Sequence, residues 1–406
     1  MIRGRAPAAK ARALAVVALI AACLLTAGCW DRVEIQERAF VLAVAVDVAE
    51  EGTDKEPGRS RVESFAHAPP ADRFRVTFQV LRFGGGKGGE EKPGGASQTY
   101  LVTGRGPGMF EAVRDSLGES SKGLWFENLQ AVIFSQAAIE RYGLTPLIDF
   151  YRRDAEMRWR AQVFITPGEA RKVLEIKPPS GEPGGIYLAN VARRYKKDPH
   201  LPTARTDISF ASQALDTGSD IIFPVLEPTG DTVKIKGGAM FRRERFLGFL
   251  DEYGVNGMRI IRATEKAALV TFECPQHPGS PVTFELFRHQ TVLKPHVEGD
   301  KVWFTLDIAM RGNLGELGYP HGHDVPSPEY LQSVQNQVAA EVKRNVEHTL
   351  AIGQSLGWEM FYLRRTLQAY KPRDWARLKD RWDEIYPTMP VYVNVRVSVI
   401  NVGEHE

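Results

Sequence analysis

Three groups of residues in this 406-residue chain have the types and spacing to do chemistry. The first is a thiol at the end of an apolar run, Leu24-Leu-Thr-Ala-Gly-Cys29-Trp-Asp31. Small residues at 27 and 28 fit a signal-peptidase cleft, and a cysteine thiolate is the nucleophile that accepts a diacylglycerol as a thioether. Ile20-Ala-Ala-Cys23 is a second site of the same kind, with an aliphatic residue where the Cys29 site has Thr26. The second group holds metal-ligand types, Cys274-Pro-Gln-His277 and His321-Gly-His323-Asp324. Each lies in a turn-like stretch and falls short of the four ligands of a structural zinc site. The third group is charged. Glu34 and Asp47 are two carboxylates with no separation readable from sequence, so they do not define a glycosidase pair. Arg153-Asp-Ala-Glu156-Met-Arg158 has the composition of a solvated network at a helix end, or of an ion-pair contact for a partner. Lys87 in the glycine-rich stretch 84–95 is followed by Gly88, not Ser or Thr, so no phosphate loop forms there. The chain also lacks a G-x-S-x-G elbow. No catalytic residue, metal or cofactor is expected.

The elements around Cys29 give it its context. Residues 1–12 are basic, and Ala13 to Leu25 is an uninterrupted apolar run of 13 residues. A bilayer span takes roughly 20. A basic head, a short apolar middle and a small-residue end form a secretory signal, here of lipoprotein type. The formal charge is +2; residues 1–28 hold Arg3, Arg5, Lys10, Arg12 and no acid, so the chain from Cys29 onward carries −2. A near-neutral chain has no long-range field for a polyanion, which argues against a nucleic-acid partner. Beyond Cys29 the chain keeps one cysteine, Cys274, so internal disulfides are excluded and folding rests on core burial.

Strands and helices alternate in the first half. Ala39–Val48 reads as a strand buried on both faces, and residues 50–72 as a loop. Phe74–Phe83 alternates and predicts one buried face. Pro107 opens a helix with Phe110, Val113 and Leu117 inward, ended by Gly118. Leu129–Phe134 is a buried strand. Ser135 caps a helix closed by Gly143, and Thr145-Pro146 starts another with Leu147, Phe150 and Tyr151 inward. After a strand at Arg160–Ile165, Thr166-Pro-Gly-Glu169 reads as a capping box. Pro224 and Pro228 mark a boundary, and 233–308 reads as antiparallel sheet. Ser327-Pro328 begins a long helix with Leu331, Val334, Val338, Val342, Val346 and Leu350 on one face, and Trp375, Leu378, Trp382 and Ile385 mark another. Five valines spaced by two in Val391–Val399 form the apolar ridge of a last strand. The expected fold is α+β and multi-domain, with mixed sheets packed by helices and a β-rich middle: a signal at 1–28, an α/β domain at 29–215, a β-rich domain at 216–290 and an α+β domain at 291–406.

Several of these stretches together resemble one family. Gly28-Cys29-Trp30-Asp31, followed by Glu34, Glu37 and a buried strand closing at Asp47, is similar to the start of the mature chain in the Ger(x)C family, the C-subunit lipoproteins of bacterial spore-germination nutrient receptors. Gly104-Arg-Gly106, Leu124-Trp-Phe-Glu-Asn-Leu-Gln130 with Val132-Ile-Phe134, the 153–158 run, Gly237-Gly-Ala-Met-Phe241 with Gly248, Trp382-Asp-Glu-Ile385 and the valine strand follow in the family's order. Gly357-Trp-Glu359-Met-Phe361 departs from it, since the family has an aspartate before an aliphatic-phenylalanine pair. The resemblance selects Cys29 over Cys23 as the lipid anchor. It implies a protein without catalytic activity or an assigned small-molecule ligand, tethered to the outer face of the spore inner membrane. Its implied partners are the membrane-embedded A and B germinant receptor subunits.

Overall fold

A computed structural model describes residues 15–16, 34–49, 73–82, 98–194, 200–203, 205–230, 232–263, 268–274, 279–316 and 327–402. Cys23, Cys29, the 50–72 stretch, the glycine-rich 84–95 stretch, His277 and the 321–324 group lie outside the described residues. The chain divides into a short segment, Met1–Ala39, and a larger unit, Phe40–Glu406. In the first, Ile35–Glu37 forms a single 3-10 turn.

The apolar run of β1 (Arg38–Val48) makes it the natural centre of a sheet, with its middle buried on both faces. β2 (Phe74–Leu81) pairs antiparallel with it, and β3 (Thr99–Gly106) with β2. On the other side β5 (Ala131–Ser135) and β6 (Gln162–Thr166) run parallel to β1. β7 (Ile221–Thr229), β8 (Thr232–Arg242) and β9 (Arg245–Leu250) extend the same sheet, giving the order β3-β2-β1-β5-β6-β7-β8-β9, with the short β4 (Gly123–Trp125) beside β1. A second sheet has the order β10-β11-β12-β13, built from Ala268–Glu273, Pro281–Glu298, Lys301–Glu316 and Val391–Val402. Its last strand pairs parallel with β12. The five valines of β13 face the core as their spacing predicts, while Tyr392 and Ile400 are exposed. The fold is α+β with mixed sheets.

Helices cover both sheets. In the first half they are α1 (Met109–Ser116), α2 (Gln136–Tyr142), α3 (Leu144–Arg153), α4 (Ala170–Glu175), α5 (Gly184–Arg193) and α6 (Ile208–Thr217). α7 (Glu252–Arg262) and α8 (Pro328–Leu356) follow, then α9 (Leu363–Tyr370), α10 (Pro372–Leu378) and α11 (Trp382–Ile385). Ser327 caps α8 as predicted, and Val334, Val338, Val342, Val346 and Leu350 form its buried stripe.

Three local expectations are corrected, and the two prolines read as a boundary are placed. β2 is buried on nearly both faces, because it is an interior strand covered by helices; its polar residues are satisfied there, Thr77 by Thr103 at 3.1 Å and Gln79 by the Gly185 amide at 2.8 Å. α1 buries Met109, Ala112 and Ser116, leaving Phe110 53% exposed. The cause is Gly104 on β3: a Cβ there would lie 1.9 Å from the Ala112 carbonyl oxygen, so the helix approaches through its small-residue face. Pro224 and Pro228 lie inside β7, where a register shift next to Pro224 accommodates the missing N–H. Within the stretch read as continuous antiparallel sheet stands α7, capped by Asp251, whose carboxylate accepts from the Gly254 amide at 2.7 Å.

Candidate functional site

Asp47 closes β1 and is nearly fully buried. Its two oxygens accept from the amides of Ala170 at 2.7 Å and Arg171 at 3.0 Å, the first residues of α4. The capping box read at Thr166–Glu169 therefore does not form: Glu169 makes no side-chain cap, and a carboxylate from a strand more than 120 residues earlier takes its place. Burial raises the Asp47 pKa, while the two amides, Arg75 and Ser135 oppose that shift. This carboxylate is spent on holding β1 to α4. Asp47→Ala is expected to cost about 2 kcal/mol in denaturant unfolding, with partial recovery in Asp47→Asn, whose side-chain carbonyl still accepts one amide.

A second acid group sits where the end of α6, β7 and β8 meet the C-terminal helices. The Glu359 amide donates to Asp220 at 2.6 Å, and the Arg243 amide to its other oxygen at 3.3 Å. The Glu359 carboxylate accepts from the Leu363 amide at 2.8 Å. Arg242 pairs with Asp383 at 2.7 Å beside them. The fully buried Trp358 donates to the Ile221 carbonyl at 3.4 Å, and the Tyr386 hydroxyl to the Trp358 carbonyl at 2.7 Å. Burial pushes Glu359 up to about 7; backbone amides and Arg364 pull it down, and the neighbouring Asp220 charge adds to the rise. Asp220 is raised too, by burial first. Two carboxylates with raised pKa values have the chemistry of an acid–base pair. The geometry gives them another task, because the space they enclose with Arg242, Trp382 and Tyr386 is about 20 Å³, one water's worth. This pair joins the start of β7 in the large sheet to the connection between α8 and α9. It falls on the segment, 357–361, where the sequence departs from the family pattern.

Two open clefts flank Thr145–Pro146. One, of about 650 Å³, runs between α1 and α3 and carries the exposed Phe110 beside Phe150; the other, of about 670 Å³, lies between α2 and β9 and carries Phe249. Thr145, read as a cap, instead donates to Glu244, and the backbone of Gly143 at φ 74° starts α3. Among the charged groups lining the first cleft, Arg153 pairs with Asp149 at 2.8 Å.

The other sequence candidates fall apart in space or outside the described residues. In the 153–158 run, Asp154 accepts from the Glu156 amide at 2.8 Å as a helix-end turn. Cys274 is buried 3.6 Å from the Tyr330 hydroxyl. Among the described residues no three metal-ligand types converge, and no helix is long and apolar enough to cross a membrane. Sequence reading missed the Asp220–Glu359 pair; the only signal was an acidic residue between Trp358 and Met360.

Comparison with known proteins adds a lineage. Residues 31–228 match the spore germination protein N-terminal domain, and residues 236–403 the spore germination B3/GerAC-like C-terminal domain. The chain is 22% identical over 400 residues to spore germination protein YndF of Bacillus subtilis (strain 168), covering 96% of each. It is 23% identical over 401 residues to the putative spore germination protein YfkR, covering 94% of each, and 20% identical over 392 residues to spore germination protein B3, covering 95% of this chain and 96% of that one, both from the same organism. The crystal structure of the GerBC protein has the same fold, with a TM-score of 0.58 at 18% identity over 84% of this chain and all of that one.

Proposed function

The chain belongs to the Ger(x)C family of spore germination proteins, and from that premise we propose that it is the lipid-anchored, non-enzymatic C subunit of a spore germinant (nutrient) receptor. In this reading Cys29 carries the diacylglycerol, the protein sits on the outer face of the spore inner membrane, and membrane-embedded A and B subunits are its partners. The observation that carries it is the Gly28-Cys-Trp-Asp31 junction after a short basic and apolar signal, in a chain related over its whole length to spore germination proteins. A two-chain anchor confines the domain to a thin shell above the bilayer and raises its effective concentration toward membrane partners. The one-water cavity at the Asp220–Glu359 pair supports a joint more than a reaction site.

The runner-up reading, a substrate-binding lipoprotein of a transporter, calls for a deep cleft between two similar lobes. The large sheet and the four-stranded sheet differ in size and topology, which favours the receptor reading. The test is an affinity pulldown of the full protein from spore membranes, with its companions and its own N-terminal peptide identified by mass spectrometry. The expected result is a diacylglyceryl Cys29 peptide and two polytopic receptor subunits. Recovery of a permease and its ATPase would select the transporter reading, and an unmodified Cys29 thiol would remove the anchor.

A further inference from the structure

The compact unit begins at Phe40, at one rim of the large sheet, and that rim is rich in arginine. Gln130, just before β5, donates its amide to the Leu42 carbonyl, and Gln162 at the start of β6 donates to the Gln130 carbonyl; these residues define the rim. The turn Arg158-Trp159-Arg160 leads directly into Gln162, and the Trp159 carbonyl accepts from the Ser209 amide. Arg193, at the end of α5, reaches Gln130 at 3.4 Å, with Arg194 next to it. Arg205 lies one residue before Thr206, whose carbonyl takes the Val163 amide. Arg82 follows β2 on the same rim, its guanidinium 5.8 Å from the centre of the Tyr100 ring.

Trp159 is 44% exposed between two arginines. Among the described residues Arg158, Arg160 and Arg194 have no ion-pair partner. Acids are present, and three are held by local hydrogen bonds: Asp154 accepts from the Glu156 amide, Glu182 from the Asn190 side chain and Asp207 from the Phe210 amide. Glu127 and Glu156 are exposed as well. An amphipathic indole flanked by cations suits the headgroup layer of a bilayer, where each arginine near an anionic surface adds about 1 kcal/mol, a factor of roughly five. Eleven residues join Cys29 to Phe40, a reach of at most about 40 Å. β1 is about 36 Å long, so a chain anchored at Cys29 enters the domain at this rim and the opposite rim stands a strand length away.

We infer that the rim carrying Arg158, Trp159, Arg160, Arg193 and Arg194 is a docking surface for an anionic phospholipid bilayer, and that it orients the tethered domain. This rests on the reading of Cys29 as the anchor. The test uses the purified full-length lipidated protein on vesicles of brominated phosphatidylglycerol or brominated phosphatidylcholine, with tryptophan quenching compared between the wild type and Trp159→Phe. The expected result is a Trp159-dependent quench on phosphatidylglycerol that is weaker on phosphatidylcholine, falls in high salt, and is lost in the triple variant R158Q/R160Q/R194Q, whose surface association drops about a hundredfold. Flotation on the neutral vesicles reads the anchor separately: failure to float there removes the Cys29 reading, while a salt-sensitive quench on phosphatidylglycerol still supports the surface. A protein that floats with Trp159 unquenched, or equally quenched on both lipids, overturns the surface. So does a triple variant that loses its membrane partners with no change in quench, which would assign the arginines to an acidic protein face.

Discussion

Cys29→Ala is expected to move most of the protein from the membrane fraction of spore lysates to the soluble fraction, a fall in retention of more than tenfold. The argument is energetic. A buried methylene contributes about 0.8 kcal/mol, so one acyl chain holds a protein marginally and two hold it for long times. Little else in the chain replaces that contribution. The Ala13–Leu25 run has 13 residues against the roughly 20 of a bilayer span, and no helix among the described residues is long and apolar enough to cross. The arginine rim adds a weaker, salt-sensitive attraction. Fractionation with immunodetection measures the loss, and an unchanged melting curve of the variant separates loss of the anchor from loss of the fold. Nutrient-triggered germination is expected to fall with it. Full retention of the variant would transfer the anchor to Cys23.

The second large effect is a pH dependence of stability, and Glu359→Gln is expected to abolish most of it. Glu359 titrates near 4.5 when unfolded and near 7 in the fold. Because the folded value is raised, its contribution is fully present below about 4.5 and is lost as pH rises through about 7, where the folded protein must hold a buried charge that the unfolded chain solvates freely. The span corresponds to about 3 kcal/mol. Glutamine keeps an oxygen for the Leu363 amide and cannot ionise. The variant and the wild type should therefore unfold at the same denaturant concentration near pH 4.5, with the variant more stable by up to about 3 kcal/mol near pH 8. Asp220 shifts in the same direction, so a slope of the same sign persists in the variant. Parallel pH profiles for the two proteins would rule out Glu359 as the group responsible.

Much of the secondary structure was legible because it is written in local periodicity. The ten-residue apolar run at Ala39–Val48, the three-and-four spacing of Val334 to Leu350 and the alternate valines of β13 each specify an element and its buried face without reference to the rest of the chain. The Ser135 and Ser327 caps were legible for the same reason, since the capped amide lies three residues away. Where periodicity was present but misread, a close backbone approach had overruled it. Phe110, Val113 and Leu117 make a plausible inner face for α1, yet Gly104 and Gly106 admit the small face instead and turn Phe110 outward into a cleft.

By itself the sequence determined the α+β class, the order of most strands and helices, and the family, because each depends on residues near one another in the chain or on a motif order that survives low identity. Tertiary structure alone decided which carboxylates matter. Asp47 finds the amides of α4 across more than 120 residues, and Asp220 finds Glu359 across 139. No local pattern encodes such pairs. They exist because folding encloses charged groups away from water and leaves distant backbone amides, not nearby side chains, as the partners that satisfy them.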